Sequence, residues 1–160
     1  MSKLTHTDDS GAAKMVDVSG KPVSPRVAIA TGTIRMSATT LDAIRGNTLK
    51  KGDVLAVARV AGIMAAKKTS ETIPLCHPIA LTDIAVEFTL DDSLPGVRVQ
   101  TLARTMERTG VEMEALNAAA VALLTIYDMA KGIDRGMTVT SIALLEKTGG
   151  ASGDWKRDEG

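Results

Sequence analysis

The sequence has few aromatic residues, one cysteine and no net charge. Aromatic residues make up 2% of its 160 residues, so the core must be built from Ala, Val, Ile, Leu and Met. Each of these side chains buries little area, which favours further burial through self-association. The single cysteine, Cys76, excludes an internal disulfide. Lysine plus arginine equals aspartate plus glutamate at 19 each, so there is no overall attraction to nucleic acid or anionic membrane.

Several functional motifs are also missing. No segment resembles a signal peptide, and the longest apolar run is shorter than a bilayer span. We therefore predict a soluble cytoplasmic protein with no membrane and no nucleic-acid partner. G-x-G-x-x-G and G-x-x-x-x-G-K-[ST] are absent, which excludes the standard dinucleotide and P-loop sites. The only histidine besides His77 is His6, so we predict no metal site.

The periodicity of apolar residues predicts alternating strands and helices. Residues 26–36 are β-branched and alternate, with a bulge expected at Gly32. A short helix ending at Gly46 and a longer helix with Asp53 as its N-cap should follow. Residues 83–92 and 97–106 then predict a hairpin.

The strongest helical pattern follows the hairpin. Thr109 and Glu112 have the spacing of a capping box, and Gly132 is placed to end the helix. Its middle is apolar on nearly every face, which predicts burial between layers or subunits. "MTVTSIALLEK" predicts a last strand.

The order β-α-β-β-α-β predicts an α+β fold, a ferredoxin-like sandwich with the helices on one face of an antiparallel sheet. We divide the chain into a flexible N-terminal arm at residues 1–25, a single domain at 26–148 and a glycine-rich C-terminal tail at 149–160.

The segment "TIPLCHPIAL", residues 72–81, places Cys76 beside His77 in an apolar run with a proline on either side. Pro74 and Pro78 restrict the residues before them to extended conformations. The segment is therefore either a stiff entry into a strand with a buried thiol, or a rigid presentation of polar groups to a ligand.

Charged residues at both ends of the long helix are candidate site residues. Asp128 and Lys131 are three apart and share a helix face, so they form either an acid-base pair or a simple salt bridge. Glu112 and Glu114 stand in the first turn, where the helix dipole also favours carboxylates. On a helix, Glu114 and Asp128 would be about 21 Å apart along the axis, so a compact ligand cannot touch both in one subunit. A site using both takes an extended ligand or combines two subunits.

Two further stretches could hold phosphate. Lysines in "LKKGDV", including Lys51, could supply a point charge or a proton, although a solvated pair is the simpler interpretation. Backbone N–H groups of Gly149 to Gly153 could form an anion nest or belong to a mobile tail.

Five segments together resemble the MoaC family, the cyclic pyranopterin monophosphate synthases: "MVDVS", "KKGDVLAVARVAGIMAAKKT", "IPLCHPIALT", "TGVEMEALNAAAVALLTIYDMAKG" and "LLEKTGGASGDWK". The resemblance implies a ferredoxin-like subunit in a homohexamer, a trimer of dimers, with the site at a subunit interface. It implies a lyase that converts 3′,8-cyclo-7,8-dihydroguanosine 5′-triphosphate to cyclic pyranopterin monophosphate and releases pyrophosphate, without a cofactor. The substrate is expected to be made from GTP by the radical enzyme MoaA.

The resemblance also assigns roles to residues. The general acid-base residues are expected to be Asp128, Lys51 and Lys131. The substrate-binding residues are expected to be Leu75, Cys76, His77, Glu112, Met113 and Glu114. Cys76 is expected to form a wall of the site and not to act as a nucleophile.

The sequence departs from the family at position 151. The family's closing motif reads G-G-K-S-G, whereas Ala151 stands here in place of the lysine. A cation that would help to hold a triphosphate is missing, so impaired activity is expected. The alternative from another class is a non-catalytic ferredoxin-like module that only binds a metabolite. An RNA-binding sheet is disfavoured because the strands lack stacking aromatics.

Overall fold

The computed structural model describes Thr7 and residues 10–158, so the predictions on His6 and on most of residues 1–9 lie outside the described part. In chain order the elements are β1 (Ser24–Arg35), α1 (Ala38–Arg45), α2 (Val54–Lys67), α3 (Thr69–Thr72), β2 (Leu81–Asp91), β3 (Gly96–Glu107), α4 (Glu112–Ala130), β4 (Thr138–Thr148) and β5 (Trp155–Lys156).

The strands form one antiparallel sheet in the order β2-β3-β1-β4-β5. The first four strands have the split βαβ arrangement, in which β1 and β2 are separated by β3. The helices pack on the sheet, and a cluster of buried side chains from α1, α2, α4 and the strands fills the space between them. The predicted α+β, ferredoxin-like sandwich is confirmed.

The predicted bulge at Gly32 is wrong. Alternate residues of β1 from Arg26 to Ile34 are buried without a change of phase, and the irregularities of the β1–β4 pairing skip residues of β4. Gly32 is instead required by close packing. A Cβ there would lie 2.7 Å from Cδ1 of Leu123 on α4 and 3.1 Å from the carbonyl oxygen of Ser141. The small residue lets α4 approach the sheet.

Helix α2 begins where the sequence predicts. Asp53 is the N-cap, and its carboxylate accepts a hydrogen bond from the backbone N–H of Ala56 at 2.9 Å. Gly62 of α2 faces α4, because a Cβ at this position would come 3.0 Å from the Ala118 carbonyl oxygen. A small residue on α2 therefore lets the two helices approach closely.

The predicted limits of α4 need correction at both ends. Its N-cap is Val111, with no side-chain hydrogen bond, so the Thr109–Glu112 capping box does not form. Val111 is 1% exposed, and this buried residue takes the N-cap position, two residues after the predicted N-cap Thr109. At the other end the helix stops at Ala130, and Gly132 does not adopt the left-handed conformation of a glycine cap.

By length and composition α4 could cross a membrane, contrary to the expectation that no apolar run is long enough. Half of its apolar window is buried inside the protein, and nine of its residues are buried. Packing against α2 and the sheet accounts for this apolar composition.

The sequence did not predict the short elements α3 and β5. Strand β5 lies within the predicted glycine-rich tail and pairs with β4 through Trp155 and Lys156. Strand β1 begins at Ser24, two residues before the predicted domain boundary. The division into arm, domain and tail stays a prediction.

Candidate active site

A cleft of about 290 Å³ lies between the proline-bracketed segment and the start of α4. It is lined by Val16, Val18, Lys21, Leu75, Cys76, His77, Ile79, Thr109, Gly110, Glu112, Met113 and Glu114. All six residues expected to bind substrate line this one cleft. Their roles in binding stay predictions.

The imidazole of His77, in the proline-bracketed segment before β2, contacts the N-terminal part of the chain. Nε2 of His77 lies 2.7 Å from the carbonyl oxygen of Val16. Because a carbonyl only accepts, Nε2 carries the hydrogen in this contact, and Nδ1 of a neutral ring is left as an acceptor. Burial, and then the nearby charge of Glu114, raise the pKa of the Cys76 thiol. A raised thiol pKa disfavours the nucleophilic thiolate, which agrees with Cys76 as a wall.

Glu114 is the most unusual ionisable group of the cleft. It is 3% exposed although it carries a carboxyl group. Burial raises its pKa from 4.5 to about 7, the adjacent charge of Glu112 adds to the increase, and a backbone hydrogen bond opposes it. A carboxyl group with a pKa near 7 can donate or accept a proton at physiological pH.

Asp128, Lys51 and Lys131 form a second cluster at the opposite end of α4. The ammonium group of Lys131 lies 2.7 Å from Oδ1 of Asp128, and that of Lys51 lies 3.2 Å from Oδ2. Lys51 also donates to the backbone carbonyl of Asp128 at 2.8 Å. The three predicted catalytic residues thus lie together, with each side chain about half exposed.

The cluster has the electrostatics of a stable ion pair. Hydrogen bonds from Lys131 and Lys51 hold the pKa of Asp128 below its usual value, and the bond to Asp128 raises the pKa of Lys131. Asp128 is therefore ionised and Lys131 charged at neutral pH. Both shifts move these groups away from the near-neutral pKa values that suit proton transfer, and the acid-base roles of the three residues stay predictions.

Within one subunit the cleft and the lysine–aspartate cluster remain apart. They occupy opposite ends of α4, and the separation of Glu114 from Asp128 corresponds to about 21 Å of helix. The structure therefore brings together the members of each predicted group but does not bring the two groups together.

Sequence reasoning missed a group of cations beside the cleft. Arg26 is 8% exposed and donates to the backbone carbonyls of Glu107 and Arg108, both at 3.3 Å. Among the described residues no carboxylate pairs with it. Arg26 and Lys21 line a neighbouring depression with Gly150 and Ala151.

Lys147 extends this cationic group toward the cleft. Its ammonium group lies 2.5 Å from Oγ of Ser152 and 4.0 Å from Glu112 Oε1. Lys21, Arg26 and Lys147 therefore surround residues 149–153. One signal was available in the sequence: Arg26 occupies a core-facing position of an otherwise apolar alternation in β1.

The loop itself needs glycine. Gly149 and Gly150 have φ values of 87° and 90°, and a Cβ at Gly150 would overlap the Arg26 guanidinium. Within the described residues no three His, Cys, Asp or Glu side chains form a group that could hold a metal. The loop and its cations are suited to a phosphate ligand.

The sequence from residue 15 to residue 150 matches the family model of the MoaC family. The match covers most of the chain, including the cleft, the lysine–aspartate cluster and part of the glycine loop. The chain therefore belongs to the MoaC family, the cyclic pyranopterin monophosphate synthases of molybdenum cofactor biosynthesis.

Proposed function

We propose that this protein is a lyase that converts 3′,8-cyclo-7,8-dihydroguanosine 5′-triphosphate to cyclic pyranopterin monophosphate and pyrophosphate. The observation that carries the proposal is the position of the cleft beside a cationic group whose buried member, Arg26, has no carboxylate partner among the described residues. This combination suits a ligand with a polar ring system at one end and phosphates at the other. The family match supports the same reaction.

The cationic group is the proposed site of the triphosphate. Arg26 is buried without a described carboxylate partner, and the glycine loop lies against its guanidinium. A bound phosphate would supply the missing negative charge through charge-assisted hydrogen bonds. Since Ala151 contributes no cation, we assign the phosphates to Lys21, Arg26 and Lys147 of the same subunit.

The cleft is the proposed site of the ring system. Glu114 can hold or release a proton near pH 7, and the imidazole of His77 lines the same cleft. Ring opening, ring closure and cyclic phosphate formation need proton transfers and phosphate positioning, which carboxyl, imidazole and ammonium groups provide. Lys51, Lys131 and Asp128 are the proposed acid-base residues, and no cofactor is invoked.

We further propose that two subunits complete one site within a homohexamer built as a trimer of dimers. The distance along α4 keeps Asp128 from the cleft of its own subunit, whereas the cluster of a neighbouring subunit can approach it. Exposed apolar side chains, including Val60, Met64 and Leu124, provide area for self-association. The enzyme MoaA is the proposed source of the substrate, and the cytoplasm the proposed location.

The first test replaces Asp128 by asparagine, which keeps the shape of the side chain and removes its charge. We expect turnover, measured as pyrophosphate release from the cyclised triphosphate, to fall by about 10²- to 10⁴-fold. Asp42→Asn is the matched control, because Asp42 is an exposed helical carboxylate that pairs with Arg45 at 2.6 Å. Substrate binding without pyrophosphate release by the wild-type chain would instead support a non-catalytic metabolite-binding module.

The shared site is tested by mixing subunits. Chains carrying Asp128→Asn and chains carrying Glu114→Gln should each be inactive, and hybrids of the two should regain part of the activity. Hybrid composition is checked by native mass spectrometry. Verified hybrids that remain as inactive as their parents would refute a site built from two subunits.

A further inference from the structure

Residues 15–21 form one wall of the cleft without belonging to a helix or strand. Val16 and Val18 are partly buried and line the cleft, while Met15, Asp17 and Ser19 between and beside them are exposed. This alternation is typical of an extended segment with one face against the protein. We call residues 15–21 the strap.

Among the described residues, two hydrogen bonds join the strap to the rest of the protein. The carbonyl of Val16 accepts from Nε2 of His77 at 2.7 Å, and the guanidinium of Arg108 donates to the carbonyl of Ser19. Within the strap, Asp17 Oδ1 accepts from the N–H of Ser19 at 2.9 Å, and the N–H of Lys21 donates to the carbonyl of Val18 at 3.0 Å. A segment held by few hydrogen bonds and little apolar burial opens at low cost in free energy.

We propose that the strap is a lid that opens to admit the ligand to the cleft, with the Val16–His77 hydrogen bond as its latch and Asp17 and Arg108 as its positioning residues. Asp17 holds the turn that follows the Val16 carbonyl, and Arg108 anchors the far end of that turn. The role of the lid rests on the proposed function of the cleft. Its opening can be measured without substrate.

Closing the strap has two consequences for the site. It closes one side of the cleft that Cys76, Glu112 and Glu114 line, which lowers the access of water to the cleft. It also keeps a hydrogen on Nε2 of His77, and in a neutral ring Nδ1 is then available as an acceptor. The strap therefore links closure of the cleft to the tautomer of its imidazole.

The alkylation rate of Cys76 reports the opening, because Cys76 is the only thiol of the chain and lines the cleft of which the strap forms one wall. The full chain is treated with iodoacetamide without substrate, and adducts are counted by mass spectrometry. We expect Asp17→Ala and Arg108→Gln each to raise the rate about two- to tenfold, the effect of one lost hydrogen bond. Asp17→Asn keeps the oxygen acceptor and should stay within about twofold of wild type.

Matched controls separate opening of the strap from general loosening. Arg98→Gln removes an exposed arginine whose contact with Asp91 at 2.8 Å lies in the β2–β3 hairpin, away from the cleft, and should leave the rate unchanged. Rates are compared over a range of pH, so that a changed thiol pKa is distinguished from changed access. Circular dichroism verifies folding, and if Asp17→Ala does not fold, Arg108→Gln decides.

Two outcomes would overturn the proposal. Wild-type alkylation rates in folded Asp17→Ala and Arg108→Gln chains would show that the strap does not limit access. An equal rise in Arg98→Gln would show that the effect is not specific to the strap. Neither outcome depends on turnover, so failure of the lid is distinguishable from failure of the proposed reaction.

Discussion

Glu114→Gln should stabilise the protein at alkaline pH while it abolishes turnover. Glu114 is 3% exposed, and burial raises its pKa from 4.5 to about 7. Between these two values the folded chain retains a proton that the unfolded chain has released. The free energy of unfolding therefore falls as the pH rises from 4.5 to 7, and stability present below pH 4.5 is lost above the folded-state pKa.

The magnitude follows from the difference between the two pKa values. At about 1.4 kcal/mol per pKa unit, an ionised Glu114 lowers the free energy of unfolding by about 3 kcal/mol above pH 7. Glutamine has nearly the same shape and no charge. We expect Glu114→Gln to be more stable than wild type at pH 8.5 by up to about 3 kcal/mol, or about 6 to 12 °C in Tm. At pH 4.5 the two chains should differ little.

Urea denaturation at several pH values measures this directly, with protomer concentration held constant because self-association adds to apparent stability. Glu71→Gln is the control, since Glu71 lies on the surface beside Lys68, and the change should alter stability by less than about 0.5 kcal/mol. Parallel stability–pH curves for wild type and Glu114→Gln would refute the reasoning. They would show that a cation, such as one from a neighbouring subunit, keeps Glu114 ionised.

Three further predictions concern the glycine loop, the sheet and α2. Ala151→Lys should raise pyrophosphate release from the triphosphate by about tenfold or more, with a smaller gain on a substrate that lacks the terminal phosphates. Thermal stability should change little. Equal rates of pyrophosphate release by the variant and the wild type would exclude the phosphate assignment of the loop. Gly32→Ala should lower the free energy of unfolding, measured in urea, by about 1–3 kcal/mol, because the added Cβ would lie 2.7 Å from Cδ1 of Leu123. An unchanged urea midpoint would contradict tight packing at this position. Asp53→Ala should cost about 1 kcal/mol in the same assay through loss of the cap on Ala56, whereas Asp53→Asn should retain most of the stability.

The order of the elements other than α3 and β5 followed from the sequence alone, and so did the candidate residues at the two ends of α4. Alternation with period 2 predicts the strands, and the cap at Asp53 marks the start of α2, because these signals come from neighbours along the chain. The proline-bracketed segment and the two ends of α4 supplied the candidate residues. The resemblance to the MoaC family assigned their roles, which no periodicity could do.

Only the tertiary structure decided which of these groups meet. Lys51 reaches Asp128 from 77 residues away, and the strap reaches His77 from 61 residues away. Gly32 was misinterpreted as a bulge because its true constraint is the side chain of Leu123 on another element. The capping box failed because burial of Val111 outweighed a local hydrogen bond. Local patterns report on bonds within a few residues, whereas these contacts depend on how the helices pack on the sheet, which is set by burial over the whole chain.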